Sequence, residues 1–280
     1  MPTLARIEAN GVEFAYYEEG SGPLVLLLHG FPDTAHTWDE TRPALAAAGY
    51  RAVSPYMRGY HPTSIPADGL YDSDTLGRDA LALIEALGVE SAIVVGHGWG
   101  AGAAYAAAGL GPARVRILMT IGIPHPASVL PTPRLLWGIR HFLRFQRKSA
   151  EALVMANDFA HVDELLERWS PAWDVPQGES DAVKESFRHP GSLSAALGYY
   201  RALTVRIPAS QRKRVSMPGV AFSGDDDGVT LHKDYERARS RYASSYEVVR
   251  MPGGHFMHRE HPKRFNEELL RALRTLAPVA

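Results

Sequence analysis

The chain contains no cysteine, which excludes a disulfide framework, a thiolate-bound zinc and a thiol nucleophile together. Charge imbalance is also missing: 30 Lys and Arg stand against 31 Asp and Glu, a formal net charge of -1 with a pI near 6.9. That balance carries no electrostatic footprint for nucleic acid or an anionic membrane surface, and neither is expected as a partner. Long apolar runs are absent. The densest, 24–28 and 101–108, fall far short of the roughly 20 residues that span a bilayer. Arg6 and Glu8 stand where an export signal needs an apolar stretch, so a soluble, cytoplasmic protein is expected. One further absence is local. Residues 91–150 hold no Asp or Glu, while Arg114, Arg116, Arg134, Arg140, Arg144, Arg147 and Lys148 lie there.

What is present is a chain of 280 residues, 45% hydrophobic, with 25 Gly and 20 Pro, long enough for one large domain or a domain with an insertion. Short apolar strands and helix-period stretches alternate. Residues 24–28, 51–54, 92–95 and 115–121 read as strands, and 38–48, 74–87 and 101–110 as helices. Strands alternating with helices close a mostly parallel sheet with helices on its faces, an α/β class. From 128 to 208 the chain is helical by period and rich in Pro, Trp and Arg. Alternation then resumes with strands 219–223 and 246–250 and helices 231–241 and 262–276. The expected organisation is a core of residues 1–127 and 209–280 carrying a helical cap, or lid, of residues 128–208.

The sharpest motif is Gly96-His97-Gly98-Trp99-Gly100-Ala101, a strand feeding a helix through small residues. Gly96-x-Gly98-x-x-Ala101 formally matches a dinucleotide fingerprint, which needs an acid about 20 residues later for the ribose. The acid-free stretch supplies none. The competing reading is a nucleophile elbow, a strained turn that lifts one side chain above the sheet.

With the elbow in place, the chain resembles the α/β-hydrolase fold superfamily, in its epoxide hydrolase and haloalkane dehalogenase branch. The matching pieces run nearly end to end: His29-Gly30-Phe31-Pro32, Arg58-Gly59-Tyr60, the elbow, Pro124-His125-Pro126, Tyr199-Tyr200-Arg201, Gly224 to Asp227, and Gly254-His255-Phe256. The resemblance implies a helical lid, no cofactor and no metal. It implies Asp227 as triad acid, with Asp225 and Asp226 as adjacent alternatives, and His255 as the base that activates water. The backbone N–H groups of Phe31 and Trp99 are implied as an oxyanion hole. One position departs from the pattern: where the branch has the Asp that attacks the substrate carbon, this chain has Gly98.

Within the lid, the resemblance sorts reaction types. Epoxide hydrolases place two lid tyrosines on the epoxide oxygen, a general-acid role suited to a phenol. Tyr200 matches the later one. The earlier would fall near 141–146, yet no Tyr lies between Ser128 and Gly198, leaving His141 or Arg144 as replacements, or both as plain lid residues. Haloalkane dehalogenases instead hold the leaving halide with N–H donors. Trp99 matches one, and Trp137, Trp169 and Trp173 are available for the other. His29, Pro32 and Tyr199 complete the expected substrate contacts, unless they serve packing alone.

The expectation is an epoxide hydrolase-like protein for a small apolar or epoxide-bearing molecule, with its ester route disabled by Gly98. Two alternatives use the same pocket. His255, Asp227 and Tyr200 can act as a non-covalent base and acid for hydration, isomerisation or cyclisation, or the pocket can simply hold a ligand.

Overall fold

The computed structural model describes residues 3–204 and 206–277. Eight strands form one sheet: β1 (Ala5–Ala9), β2 (Val12–Glu19), β3 (Leu24–Leu28), β4 (Arg51–Pro55), β5 (Ala92–His97), β6 (Val115–Ile121), β7 (Gly219–Gly224) and β8 (Tyr246–Met251). Their order is β1-β2-β4-β3-β5-β6-β7-β8. The last six run parallel, while β1 and β2 pair antiparallel at one edge. The sequence reading made no provision for this edge hairpin. Its signal was available in Asn10-Gly11, both at positive φ, a dipeptide suited to a tight hairpin turn.

The central strands are apolar along their whole length because both faces are covered. Leu24, Leu26, Val94 and Leu118 join one core, and Val25, Leu27, Ile93, Val95 and Ile117 join the other. Helices α1 (Thr41–Ala47), α2 (Ser73–Ala86) and α3 (Trp99–Leu110) fill the crossovers of the first half. α3 is rich in alanine and glycine, which lets it lie close against the sheet and α2; Ala103, Ala104, Ala106 and Ala107 are fully buried.

Every named helix between β6 and β7 belongs to one excursion: α4 (Pro133–Gly138), α5 (Arg140–Phe145), α6 (Ala150–Trp169), α7 (Asp181–Arg188), α8 (Ser192–Arg201) and α9 (Ala209–Arg212). α6 is broken at Ala156–Phe159, where Asn157, Asp158 and Phe159 take positive φ. α9 falls just past residue 208, the expected end of the cap. After β7 come α10 (His232–Ala238), α11 (Met257–Glu260) and α12 (Pro262–Leu276). The excursion leaves from the C-terminal edge of the parallel strands, where open α/β sheets place their ligand crevice. No helix among the described residues is long and apolar enough to cross a membrane.

Candidate active site

β5 ends at His97 and α3 opens at Trp99, so Gly98 alone turns the chain, with φ +54 and ψ -117. That backbone state is nearly closed to residues bearing a Cβ. Space is not the obstacle. A Cβ on Gly98 would meet only Gly30 Cα at 3.4 Å and His255 Nε2 at 3.8 Å. The direction in which a side chain would leave the turn is therefore toward the imidazole.

The loop after β7 brings Asp227 to His255. His255 Nδ1 donates to Asp227 Oδ2 at 3.2 Å, which leaves Nε2 directed at Gly98. Asp227 also accepts from Val229 N at 2.6 Å, Thr230 N at 3.1 Å and Thr230 Oγ1 at 2.9 Å. A carboxylate buried to this degree needs such donors. Of the neighbouring acids, Asp225 pairs with Arg250 at the surface. The cap holds both loops from above: the Trp169 carbonyl at the end of α6 accepts His255 N at 2.9 Å and Gly228 N at 3.2 Å.

Gly98, His255, Tyr200, Phe31 and Trp99 line one cavity of about 470 Å³ that continues to Asp72, Asp74 and Gln211. Its walls are mainly apolar and aromatic. Tyr200 stands edge-on to Trp99 at 5.1 Å and to Phe31 at 5.3 Å. Burial pushes its phenol up, and a hydrogen bond with Trp99 opposes that in part. Trp99 opens α3, so its backbone N–H is an orphan donor of a helix start. His141 also lines the cavity. Its Nδ1–H donates to the Gly138 carbonyl at 3.1 Å, leaving Nε2 as a lone-pair acceptor, and burial lowers its pKa to about 3.

Four expected contacts lie elsewhere or point elsewhere. His29 is fully buried behind the site, donating to the Gly30 carbonyl and accepting Met57 N at 2.9 Å, so it shapes the loop and does not reach substrate space. Pro32 is buried behind the cis Phe31–Pro32 bond and is not part of the lining. Arg144 is exposed on the outer side of α5, because the apolar stripe of that helix turns His141 and Phe145 inward. Tyr199 presents its ring to the cavity, but its hydroxyl donates to the Arg58 carbonyl at 2.8 Å.

Among the lid tryptophans, Trp137 is 70% exposed and Trp173 lies under the Arg259 guanidinium. Trp169 lines the cavity, and its buried Nε1–H has no acceptor among the described residues. Sequence reasoning missed Thr230, which donates to Asp227, and Gly122, against which the His255 ring lies. Thr230 had a signal, a hydroxyl three residues after an acid. The Trp169 carbonyl had none, since backbone groups leave no trace in residue type.

A tight strand-turn-helix vertex facing a buried His–Asp pair, beneath a helical cap on a mostly parallel sheet, defines a hydrolase of the α/β class. The alpha/beta hydrolase fold family model matches residues 23–262. Among similar proteins, an epoxide hydrolase of Caballeronia sordidicola is 31% identical, covering 98% of this chain and 94% of its own. Epoxide hydrolase A of Mycobacterium tuberculosis is 29% identical, covering 97% of each. A solved epoxide hydrolase from Vigna radiata superposes with a TM-score of 0.83 at 27% identity, over 98% of each chain. One from Bacillus megaterium, bound to an inhibitor, reaches 0.87 at 24% identity over 96% of this chain and 100% of its own. The chain belongs to the α/β-hydrolase fold family and, within it, to the epoxide hydrolase branch.

Proposed function

We propose that this protein is an epoxide hydrolase frame without its attacking carboxylate, binding a small apolar, epoxide-bearing molecule and turning it over by the ester route at no more than background rate. One observation carries the reading: a Cβ at Gly98 would fit without backbone collision and face His255 Nε2 at 3.8 Å. In this reading Tyr200 hydrogen-bonds the epoxide oxygen and protonates the alkoxide as the ring opens. Asp227 holds the Nδ1–H tautomer of His255, so that Nε2 takes a proton from the water that hydrolyses an ester. The N–H groups of Phe31 and Trp99 stabilise the oxyanion of that second step. Without the nucleophile the ester never forms. Losing a covalent nucleophile costs a hydrolase about 10⁶-fold in kcat.

The test is to install the carboxylate. Gly98→Asp is expected to produce diol from an epoxide panel, and Gly98→Asp with His255→Ala to accumulate the ester, seen as a mass increase equal to the substrate. Inertness of Gly98→Asp toward every epoxide and haloalkane, despite ligand binding, overturns the reading. Haloalkanes belong in the panel because the free Nε1–H of Trp169 is a suitable halide donor.

A second reading rests on the open space between Gly98 and His255. There His255 can act directly on a water or substrate hydroxyl while Tyr200 serves as acid. Turnover by the unmodified protein that disappears in His255→Ala selects it. Binding without turnover in any variant selects a ligand-binding protein.

A further inference from the structure

Beneath the elbow, on the side away from the cavity, three buried side chains converge without satisfying one another. One ligand atom each from Asp33, in the loop after β3, His97, at the end of β5, and His258, in α11, lie within 4.8 Å of one another. Asp33 Oδ2, His97 Nδ1 and His258 Nδ1 each lack a hydrogen bond among the described residues. Arg259 Nη1 stands 3.1 Å from Asp33 Oδ2, an ion pair without hydrogen-bond geometry.

The tautomers sharpen the problem. His97 Nε2 lies 3.0 Å from the His255 carbonyl, which can only accept, so the proton is on Nε2 and Nδ1 is a lone pair. His258 Nε2 is 2.7 Å from Thr37 Oγ1, a hydroxyl that can donate or accept, so His258 Nδ1 is a lone pair in one tautomer and carries the proton in the other. The His97 lone pair, the His258 Nδ1 and the Asp33 carboxylate are thus gathered in one buried space with no hydrogen bond among themselves, an arrangement that burial penalises. Arg259 bridges Asp33 and the partly exposed Glu179.

We propose that Asp33, His97 and His258 form a binding site for a divalent transition-metal ion, of the zinc or cobalt kind, behind the nucleophile elbow. Two imidazoles and one carboxylate are a ligand set these ions favour. Metal bonds of about 2.0–2.2 Å put tetrahedral ligand atoms about 3.4 Å apart, so from a spread within 4.8 Å the widest pair closes by up to about 1.4 Å. The site is structural. It ties the loops after β3, β5 and β8 into one unit, and His97 Nε2 carries that restraint to the His255 backbone. The numbers 33, 97 and 258 are too far apart for any sequence spacing to mark it.

The probe is Zn(II) added to chelator-treated full-length protein, followed by calorimetric titration and thermal unfolding, with Co(II) absorption as a report of imidazole ligation. One equivalent is expected to bind and raise the Tm. His258→Gln, whose amide can keep the Thr37 contact, should weaken binding by at least about 10–100-fold, and isosteric Asp33→Asn should do the same. The half-buried pair His61 and His189, whose rings stack at 3.2 Å, is the control; His189→Ala should leave binding unchanged. The proposal is overturned if Zn(II) neither binds nor raises the Tm. It is also overturned if His189→Ala abolishes binding while His258→Gln does not, or if a zinc-soaked crystal shows only water between the three atoms.

Discussion

The imidazole of His255 lies directly against Gly122: a Cβ at that glycine would come within 2.7 Å of Cε1 and 2.9 Å of Nδ1. Gly122 follows β6 at φ +74, so the end of one strand supplies the flat surface on which the ring rests. The ring is thus fixed on three sides, by Gly122 beside it, Asp227 at Nδ1 and the Trp169 carbonyl at its backbone N–H.

Gly122→Ala should therefore push the imidazole out of line. The substitution adds both the collision and a strained backbone, costing on the order of 1–3 kcal/mol. In a Gly98→Asp background it is expected to abolish diol formation while the protein still folds. Urea unfolding together with product analysis checks this; full activity in the double variant would show that the ring tolerates displacement.

Gly98→Asp should trade stability for chemistry. The φ and ψ of Gly98 suit glycine, and a non-glycine residue there carries a strain of about 1–3 kcal/mol. The expected result is a Tm lower by several degrees in calorimetry alongside new epoxide turnover. An unchanged or higher Tm would argue against stored strain at this turn.

Tyr200→Phe removes only a hydroxyl that points into the site beside Trp99. In the Gly98→Asp protein it should lower kcat for epoxide opening by about 10²–10⁴-fold, the usual worth of a positioned acid, with little change in KM or Tm. Steady-state kinetics settles it; equal kcat in both proteins would remove Tyr200 from the proton transfer.

Acid should weaken the fold. Burial lowers His29 and His125 to about 4 and His141 to about 3, whereas the unfolded chain protonates near 6.5. Between those values the unfolded state binds more protons, so stability is fully present above about pH 6.5 and falls as the pH drops toward 4. Linkage puts the loss at about 2 kcal/mol per histidine at pH 5. Chemical denaturation at pH 7.5, 6 and 5 reads the slope. His125→Asn should flatten it, since the Asn oxygen can replace Nδ1 as acceptor for Ala127 N, now at 3.2 Å.

Much of this molecule is legible along the chain because it is encoded locally. The unbroken apolar runs at 24–28 and 92–95 fix strands buried on both faces, Gly96 to Ala101 fixes the turn, and the absence of an acid at 98 follows from one letter. The edge hairpin is legible in Asn10-Gly11, both at positive φ, a pair that favours a tight hairpin turn. What the chain could not reveal depends on which atoms meet. Arg144 and His141 are three residues apart, yet one faces solvent and the other the cavity, because helix phase against the core decides that. Tyr199 and Tyr200 are neighbours, and only packing sends one hydroxyl to the Arg58 carbonyl and the other to the site. The Trp169 carbonyl, the Gly122 surface and the meeting of Asp33, His97 and His258 join residues tens to hundreds of positions apart. Sequence determined that this is an α/β-hydrolase chain with a glycine at position 98. Tertiary structure decided that a Cβ at that turn would face His255 Nε2 at 3.8 Å, since only the packing of the loops after β5 and β8 sets which atoms meet there.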